Sequence, residues 1–217
     1  MQTLFAGSSC NLLCYSYFDH LFVGHSSTDD DFHQEDLPLL SAGNACLALR
    51  SYQQQMVETE TQSIHIDRGS PNFLRDGIRI YKRHGFNLRF TPDIDFNNEV
   101  GIDGGGLSKE FFYLVLTKLR DGDPNIGISL FEGAPDHIVP VHCSSSLDTG
   151  VFHLFGKILA HSILHGGMGF IGMAAAVAKY IGTKSMDEAA TLVSIEDIPD
   201  LEYRDYAQKV STVEFTL

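Results

Sequence analysis

The stretch from Ile94 to Phe112, IDFNNEVGIDGGGLSKEFF, constrains this chain more than any other, because an alternating apolar run meets three consecutive glycines and then an amphipathic run. Phe90, Ile94 and Phe96 stand at even spacing, which places them on one face of an extended strand. Gly104, Gly105 and Gly106 then permit a tight turn, since backbone without a Cβ takes positive φ or passes close to another segment at little cost. A helix is expected to begin at Ser108, a residue type that caps well, with Leu107 and Phe112 placed as a hydrophobic staple. Glu110 falls in the first turn, where the helix dipole favours an anion. The helix should run to about Arg120, because Asp121-Gly122-Asp123-Pro124 supplies a C-terminal glycine followed by a proline.

Small-ligand motifs fail on spacing. A phosphate loop of the G-x-x-x-x-G-K-[ST] type needs lysine directly after its last glycine, but Leu107 and Ser108 precede Lys109. The dinucleotide fingerprint fails as well, since its third glycine position falls on Lys109. Asp95, Asn97 and Glu99 alternate as calcium-loop ligands do, yet Val100 stands where that loop needs its sharp-turn glycine. A structural strand-to-helix turn remains.

Taken whole, the stretch resembles a known signature. The acidic-aromatic strand, then Glu99-x-Gly101-Ile102-Asp103-x-Gly105-Gly106, then Ser108-x-Glu110-Phe111-Phe112, is similar to the amino-terminal lobe of HECT-type ubiquitin ligases. Leu130-Phe131-Glu132 and Ile138-Val139-Pro140 resemble that lobe's short middle strands. Phe152-x-x-Phe155-Gly156 through Ala160, Ser162 and Gly166 resembles its Phe-x-x-x-Gly-x-x-x-x-x-Ala/Ser-x-x-x-Gly helix. The resemblance spans residues 64 to 217, and several ordered matches are far more specific than one glycine motif. It implies a fold that is α+β and mainly helical, with short strands flanking helices.

Composition bounds the alternatives. The 217 residues carry a net charge of −13, and no cluster of Lys and Arg is arranged to neutralise a phosphate backbone, so nucleic acid is not an expected partner. The asymmetry is strong: residues 1–65 hold one base, Arg50, against eight acids, and the rest hold fourteen against twenty. The opening MQTLFAGSSCNLLCYSYF lacks a positive n-region, and no apolar run is long enough to span a bilayer. Cys10, Cys14, Cys46 and Cys143 are sparse and irregularly spaced, which fits a reducing cytosolic or nuclear compartment better than a disulfide scaffold.

Three regions follow from the local signals. Residues 1–24 form a short strand-like segment around Gly7-Ser8-Ser9, similar to the last strands of a chromosome-condensation-regulator-type propeller repeat, which cannot bury itself without neighbouring blades. Residues 25–63 form an acidic linker containing Asp29-Asp30-Asp31, with a helix over Cys46–Val57. From residue 64 the signals sharpen into the partial HECT domain. Ile64-His65-Ile66 suits a short strand. Ser70 caps a helix with Pro71 at its first position, and Phe73, Leu74, Gly77, Ile78 and Tyr81 trace its buried stripe up to Gly85. Arg75, Arg79, Lys82 and Arg83 lie on the same helix as a solvated face or a site for an acidic partner.

Further along, Ile126–Phe131 and His137–Val141 are expected strands, and Asp148 is a plausible cap for a helix burying Val151, Phe152, Phe155, Ile158, Leu159 and Ser162. Gly156 and Ala160 would admit a neighbouring helix, and Gly166-Gly167 ends this one. A second apolar helix, about Phe170–Ile181, would complete a tightly packed pair. Ser185 with Glu188 reads as a capping box, and Asp200 caps a last helix from Leu201 towards Val210. His161 and His165, one turn apart, have legitimate metal-ligand spacing, with His137, His142 and Cys143 upstream. No H-E-x-x-H or C-x-x-C supports them, so buried or capping histidines and no metal are expected.

The resemblance implies ubiquitin transfer from a conjugating enzyme to substrate lysines through a cysteine thioester, which preserves the acyl group's reactivity between carriers. Ubiquitin and a conjugating enzyme are the implied partners. Family members place the reactive cysteine on a separate carboxy-terminal lobe. Cys10, Cys14 and Cys46 precede the matching region and Cys143 lies inside the first lobe, so no catalytic residue carries over. The chain is therefore expected to be truncated before the catalytic lobe, to lack most of the enzyme-docking subdomain, and to be inactive alone. The alternative is a non-catalytic adaptor in ubiquitin signalling.

Overall fold

A computed structural model describes residues 42–97, 99, 104–141 and 149–211. The expectations for residues 1–24, for the acidic run Asp29–Asp31 and for Gly101–Asp103, Cys143 and Asp148 lie outside the described residues. Within them the chain is α+β: seven α-helices, one 3-10 turn and four short strands, the strands in two separate pairs.

Helix α1 (Ala42–Met56) leads into β1 (Glu58–Ile66), and β1 pairs in parallel with β2 (Phe90–Phe96). Parallel neighbours need a crossover, which α2 (Phe73–Tyr81) supplies. The register sets Ile64 beside Ile94 and Ile66 beside Phe96, all four buried, while His65 and Asp95 face outward at 3.0 Å. Alternation thus decides which side of the pair meets the core. β1 extends well before Ile64, and Ser70 caps a preceding turn rather than the helix: its hydroxyl accepts from the Asn72 amide, and α2 starts at Phe73. Phe73, Leu74, Gly77 and Tyr81 are buried as their spacing predicts, with Ile80 deeper than Ile78.

Helix α3 (Gly106–Asp121) follows the glycines. Its N-cap is Gly105, in the left-handed region at φ 92°, and not Ser108. Ser108 lies inside the first turn, buried, and its hydroxyl donates to the Pro92 carbonyl of β2 at 3.2 Å. The side chain expected to cap the start of the helix thus ties it to the strand. Gly122 closes the far end as expected, and the helix runs to Asp121, one residue past Arg120.

The segment after α3 departs from expectation. Residues 124–127 form a turn closed by an Asp123–Ile128 bridge, so the strand β3 begins only at Phe131 and ends at Ala134. It forms an antiparallel hairpin with β4 (His137–Pro140). Helix α4 (Val151–Leu164) starts from Gly150 and ends where Gly166 takes φ 71°.

The expected helix Phe170–Ile181 is half extended. The Ile138 amide donates to the Gly172 carbonyl at 2.7 Å and the Ala174 amide to the Ile138 carbonyl at 2.9 Å, so this piece lies alongside β4. Helix α5 begins at Ala175 and runs to Thr183. Its main neighbour is α6 (Met186–Ala190), joined to it by Lys179–Glu188 at 2.7 Å, rather than α4. The expected pairing of two small-residue helices is therefore corrected. Instead α4 packs on α3 and α2.

Ser185 caps α6 by accepting from the Glu188 amide, but Glu188 turns to Lys179, so the box is not reciprocal. A reciprocal box forms at Ser194 and Asp197, opening the 3-10 turn Ile195–Asp197. Asp200 caps α7 (Leu201–Ser211) as expected, accepting from the amides of Glu202 and Tyr203 at 2.8 and 3.1 Å.

Candidate functional site

The glycine turn is held from outside by Arg68, just beyond β1. Its Nε and Nη2 donate to the two carboxylate oxygens of Glu99, each at 2.5 Å, and its Nη1 donates to Glu110 on α3. The guanidinium also sits 4.9 Å from the ring centre of Phe96, the last residue of β2. A planar fork suits this double carboxylate recognition, which a lysine could not reproduce. Glu110 therefore lies past the first turn and answers Arg68 rather than the helix dipole alone. Arg68 escapes sequence reading because its partners lie 31 and 42 residues away.

The three residues of the calcium-loop pattern make separate contacts. Asp95 faces His65, Glu99 faces Arg68, and the Asn97 backbone amide donates to the Ile66 carbonyl at 2.9 Å. The three residues serve three different partners.

Behind the turn lies an aromatic and histidine cluster. Phe112 from α3 meets the His161 ring of α4 edge-on at 5.1 Å, and Tyr81 of α2 and Phe86 each approach that ring at 5.6 Å. Tyr81 and His161 are both buried, with 2.8 Å between the phenol oxygen and Nδ1. Burial pushes the Tyr81 phenol well above its ordinary range. Burial first, and then the neighbouring His165, pushes His161 well below its own. Both groups are thus neutral near pH 7, and the Tyr81 hydroxyl donates to Nδ1. The proton of the His161 ring sits on Nε2, which makes no well-formed hydrogen bond, although the Phe90 carbonyl is near enough to favour a charged ring.

His165 is depressed by burial, against the effect of its Nε2 donating to the Leu88 carbonyl at 2.9 Å. His161 and His165 stack edge to face, 4.8 Å between centres, yet their ring nitrogens serve Tyr81 and Leu88. His137 pairs with Asp197 at 2.8 Å, well separated in role from the other two. His142 lies outside the described residues. Among the described residues no three His, Cys, Asp or Glu side chains stand close enough to share a metal ion. Of the described histidines, His161 is buried in the core and His165 is half-buried beside it.

Cys46 is an exposed free cysteine on α1, and Cys10, Cys14 and Cys143 lie outside the described residues. A cavity of about 330 Å³ lies beside the hairpin, between Arg120, Asp121, Glu132 and Ile138, but Arg120 is already engaged by Asp121 at 2.6 Å. No described helix is long and apolar enough to cross a membrane. A comparison with protein-family models finds no match to this chain, and one with curated proteins finds none either.

Proposed function

We propose that this chain is the amino-terminal lobe of a HECT-type ubiquitin-protein transferase, working with a cysteine-bearing lobe to pass ubiquitin from a conjugating enzyme to substrate lysines. One observation carries this proposal. The two most specific motif segments, Ser108-x-Glu110-Phe111-Phe112 and Phe152 to Gly166, lie far apart in sequence and pack against each other as α3 and α4. Phe111, Phe112, Phe155 and Ile158 are all buried in that common core. Motif residues that share a core are constrained together, as residues of an intact lobe would be.

The chemistry assigned to this lobe is positioning, because a thioester relay needs a carrier thiolate and none of the four cysteines stands at the family's reactive position in the sequence. Incubation with activating enzyme, conjugating enzyme and ubiquitin tests it. The complete native polypeptide is expected to form a ubiquitin adduct labile to thiol reductant, at a cysteine other than Cys10, Cys14, Cys46 and Cys143. Residues 1–217 alone are expected to form none, and a labile adduct on Cys143 would overturn this assignment. Binding of ubiquitin-loaded conjugating enzyme without any adduct on the native polypeptide would favour the adaptor role. Loss of both would remove both readings.

A further inference from the structure

Strand β1 leaves one side of its backbone unused. The Asn97 amide donates to the Ile66 carbonyl at 2.9 Å, so Ile66 turns its peptide groups towards β2. Backbone direction alternates along a strand, and the parallel register runs unbroken from Thr61 to Ile66, so Gln62 and Ile64 turn the same way. Thr61, Ser63 and His65 therefore direct their N–H and C=O groups to the opposite edge. Among the described residues nothing hydrogen-bonds to those groups. All three residues are exposed. The outer edge of β2 is not open in the same way, since Pro92 has no N–H and its carbonyl accepts from Ser108. Natural sheets blunt a free edge with lysine, proline or a bulge. Here the irregularity between Glu58 and Thr61 stops short of the open stretch, and Thr61 to Ile66 contain neither lysine nor proline.

The solvent face of the pair decides which chain fits. It shows Thr61, Ser63 and His65 of β1 beside Thr91, Asp93 and Asp95 of β2, with no lysine or arginine among them. Glu60 is exposed at the near end and has no partner among the described residues. Asp93 accepts from the Ser63 hydroxyl at 3.3 Å and Asp95 faces His65, both pairs in water. A strand added beside β1 stands about 5 Å from Ser63 and about 10 Å from Asp93. Lysine and arginine span that gap over the small serine, and short side chains do not. We propose that the free edge of β1 binds an extended segment of a partner protein, with lysine or arginine at alternate positions, by adding it as a third strand.

Main-chain hydrogen bonds to Thr61, Ser63 and His65 supply the affinity, and the acidic face supplies the choice of sequence. The carboxylates of Asp93 and Asp95 stay on the solvent side, so they select basic side chains without being buried by them.

Hydrogen exchange of the full 217-residue chain, resolved amide by amide, tests this with a short peptide of alternating lysine and threonine. In the free chain the amides of Gln62, Ile64 and Ile66 are expected to be protected, and those of Thr61, Ser63 and His65 to exchange freely. Saturating peptide should slow the second set at least about tenfold. A peptide with glutamate in place of lysine should bind at least about tenfold more weakly, because like charges then face each other. Protection of Thr61, Ser63 and His65 without peptide would overturn the proposal, since the edge would already be paired, within the chain or between copies. Absence of binding, or binding that leaves those amides unchanged, would overturn it too. A second measurement alters only the peptide. Methylating the nitrogens of one alternate set of its amides should abolish binding, and methylating the other set should preserve it, because only one set faces β1. Equal affinities for the two methylated peptides would sink strand addition.

Discussion

At Gly105 the backbone takes φ 92° with nothing within 4 Å of the space a Cβ would fill. The cost of a side chain there is conformational and not steric. Gly104 and Gly106 have equally open surroundings without positive φ. Gly105→Ala should therefore cost about 1–2 kcal/mol, the penalty for left-handed backbone in a residue with a Cβ. Gly104→Ala and Gly106→Ala should be neutral or stabilising by up to about 1 kcal/mol, because they reduce the freedom of the unfolded chain. Urea midpoints of the three variants decide it, and equal losses at all three positions would contradict the left-handed cap. Three identical letters in sequence conceal this difference. Ser108 hides its role in the same way: its residue type signals a cap, whereas its burial makes the Pro92 carbonyl its best acceptor. Arg68 gives no local signal at all, since an arginine after a strand is ordinary until Glu99 and Glu110 fold beside it.

Among the elements, those with strong local periodicity are the ones readable from sequence. The stripe Phe73–Leu74–Gly77–Tyr81, the run through Phe155 and Ile158, and the Asp200 cap each signal a helix within one or two turns of chain. The piece from Phe170 to Ala174 misleads because its apolar residues run straight into the alanines of α5, while the partner that holds it extended, Ile138, is distant in sequence. Phe170 completes the aromatic group of Phe131 and Phe155, at 4.8 and 5.1 Å, and that burial outweighs weak local preference. Gly172 makes the close approach possible: its φ is 92°, and a Cβ would overlap the Pro135 carbonyl oxygen. Gly172→Ala should thus combine backbone strain with a clash against main chain and cost at least about 2 kcal/mol. Gly169→Ala, where a Cβ meets open space at ordinary φ, is the control and should change stability by less than about 0.5 kcal/mol. Thermal unfolding of the pair separates them, and similar melting temperatures would show that the Gly172 approach is not needed for the β4 contact.

On the scale of the whole molecule, the buried polar pair behind the glycine turn links folding to pH. His161 and His165 both titrate below the ordinary histidine value in the folded chain, chiefly through burial, whereas the unfolded chain titrates near 6.5. As pH falls through 6.5 the unfolded state therefore binds more protons than the folded one, and stability drops. It is fully present above that pH. Each histidine contributes up to a tenfold fall in the folding constant per pH unit, so the two together approach about a hundredfold. Tyr81 gives the opposite limb, since its folded value is raised above about 10 and stability declines as pH climbs past that point. Carboxylates such as Asp121, lowered chiefly by its bond with Arg120, act below about pH 4 and leave the histidine window clear. Urea midpoints between pH 5 and 8 should trace the acid limb. His161→Gln keeps an acceptor for the Tyr81 hydroxyl, so it should lower stability at pH 7.5 yet flatten the slope below pH 6.5 by about one proton. His165→Gln, which can still donate to the Leu88 carbonyl, should remove a second increment. A slope left unchanged by both substitutions would mean that the α2, α3 and α4 core does not hold these rings neutral.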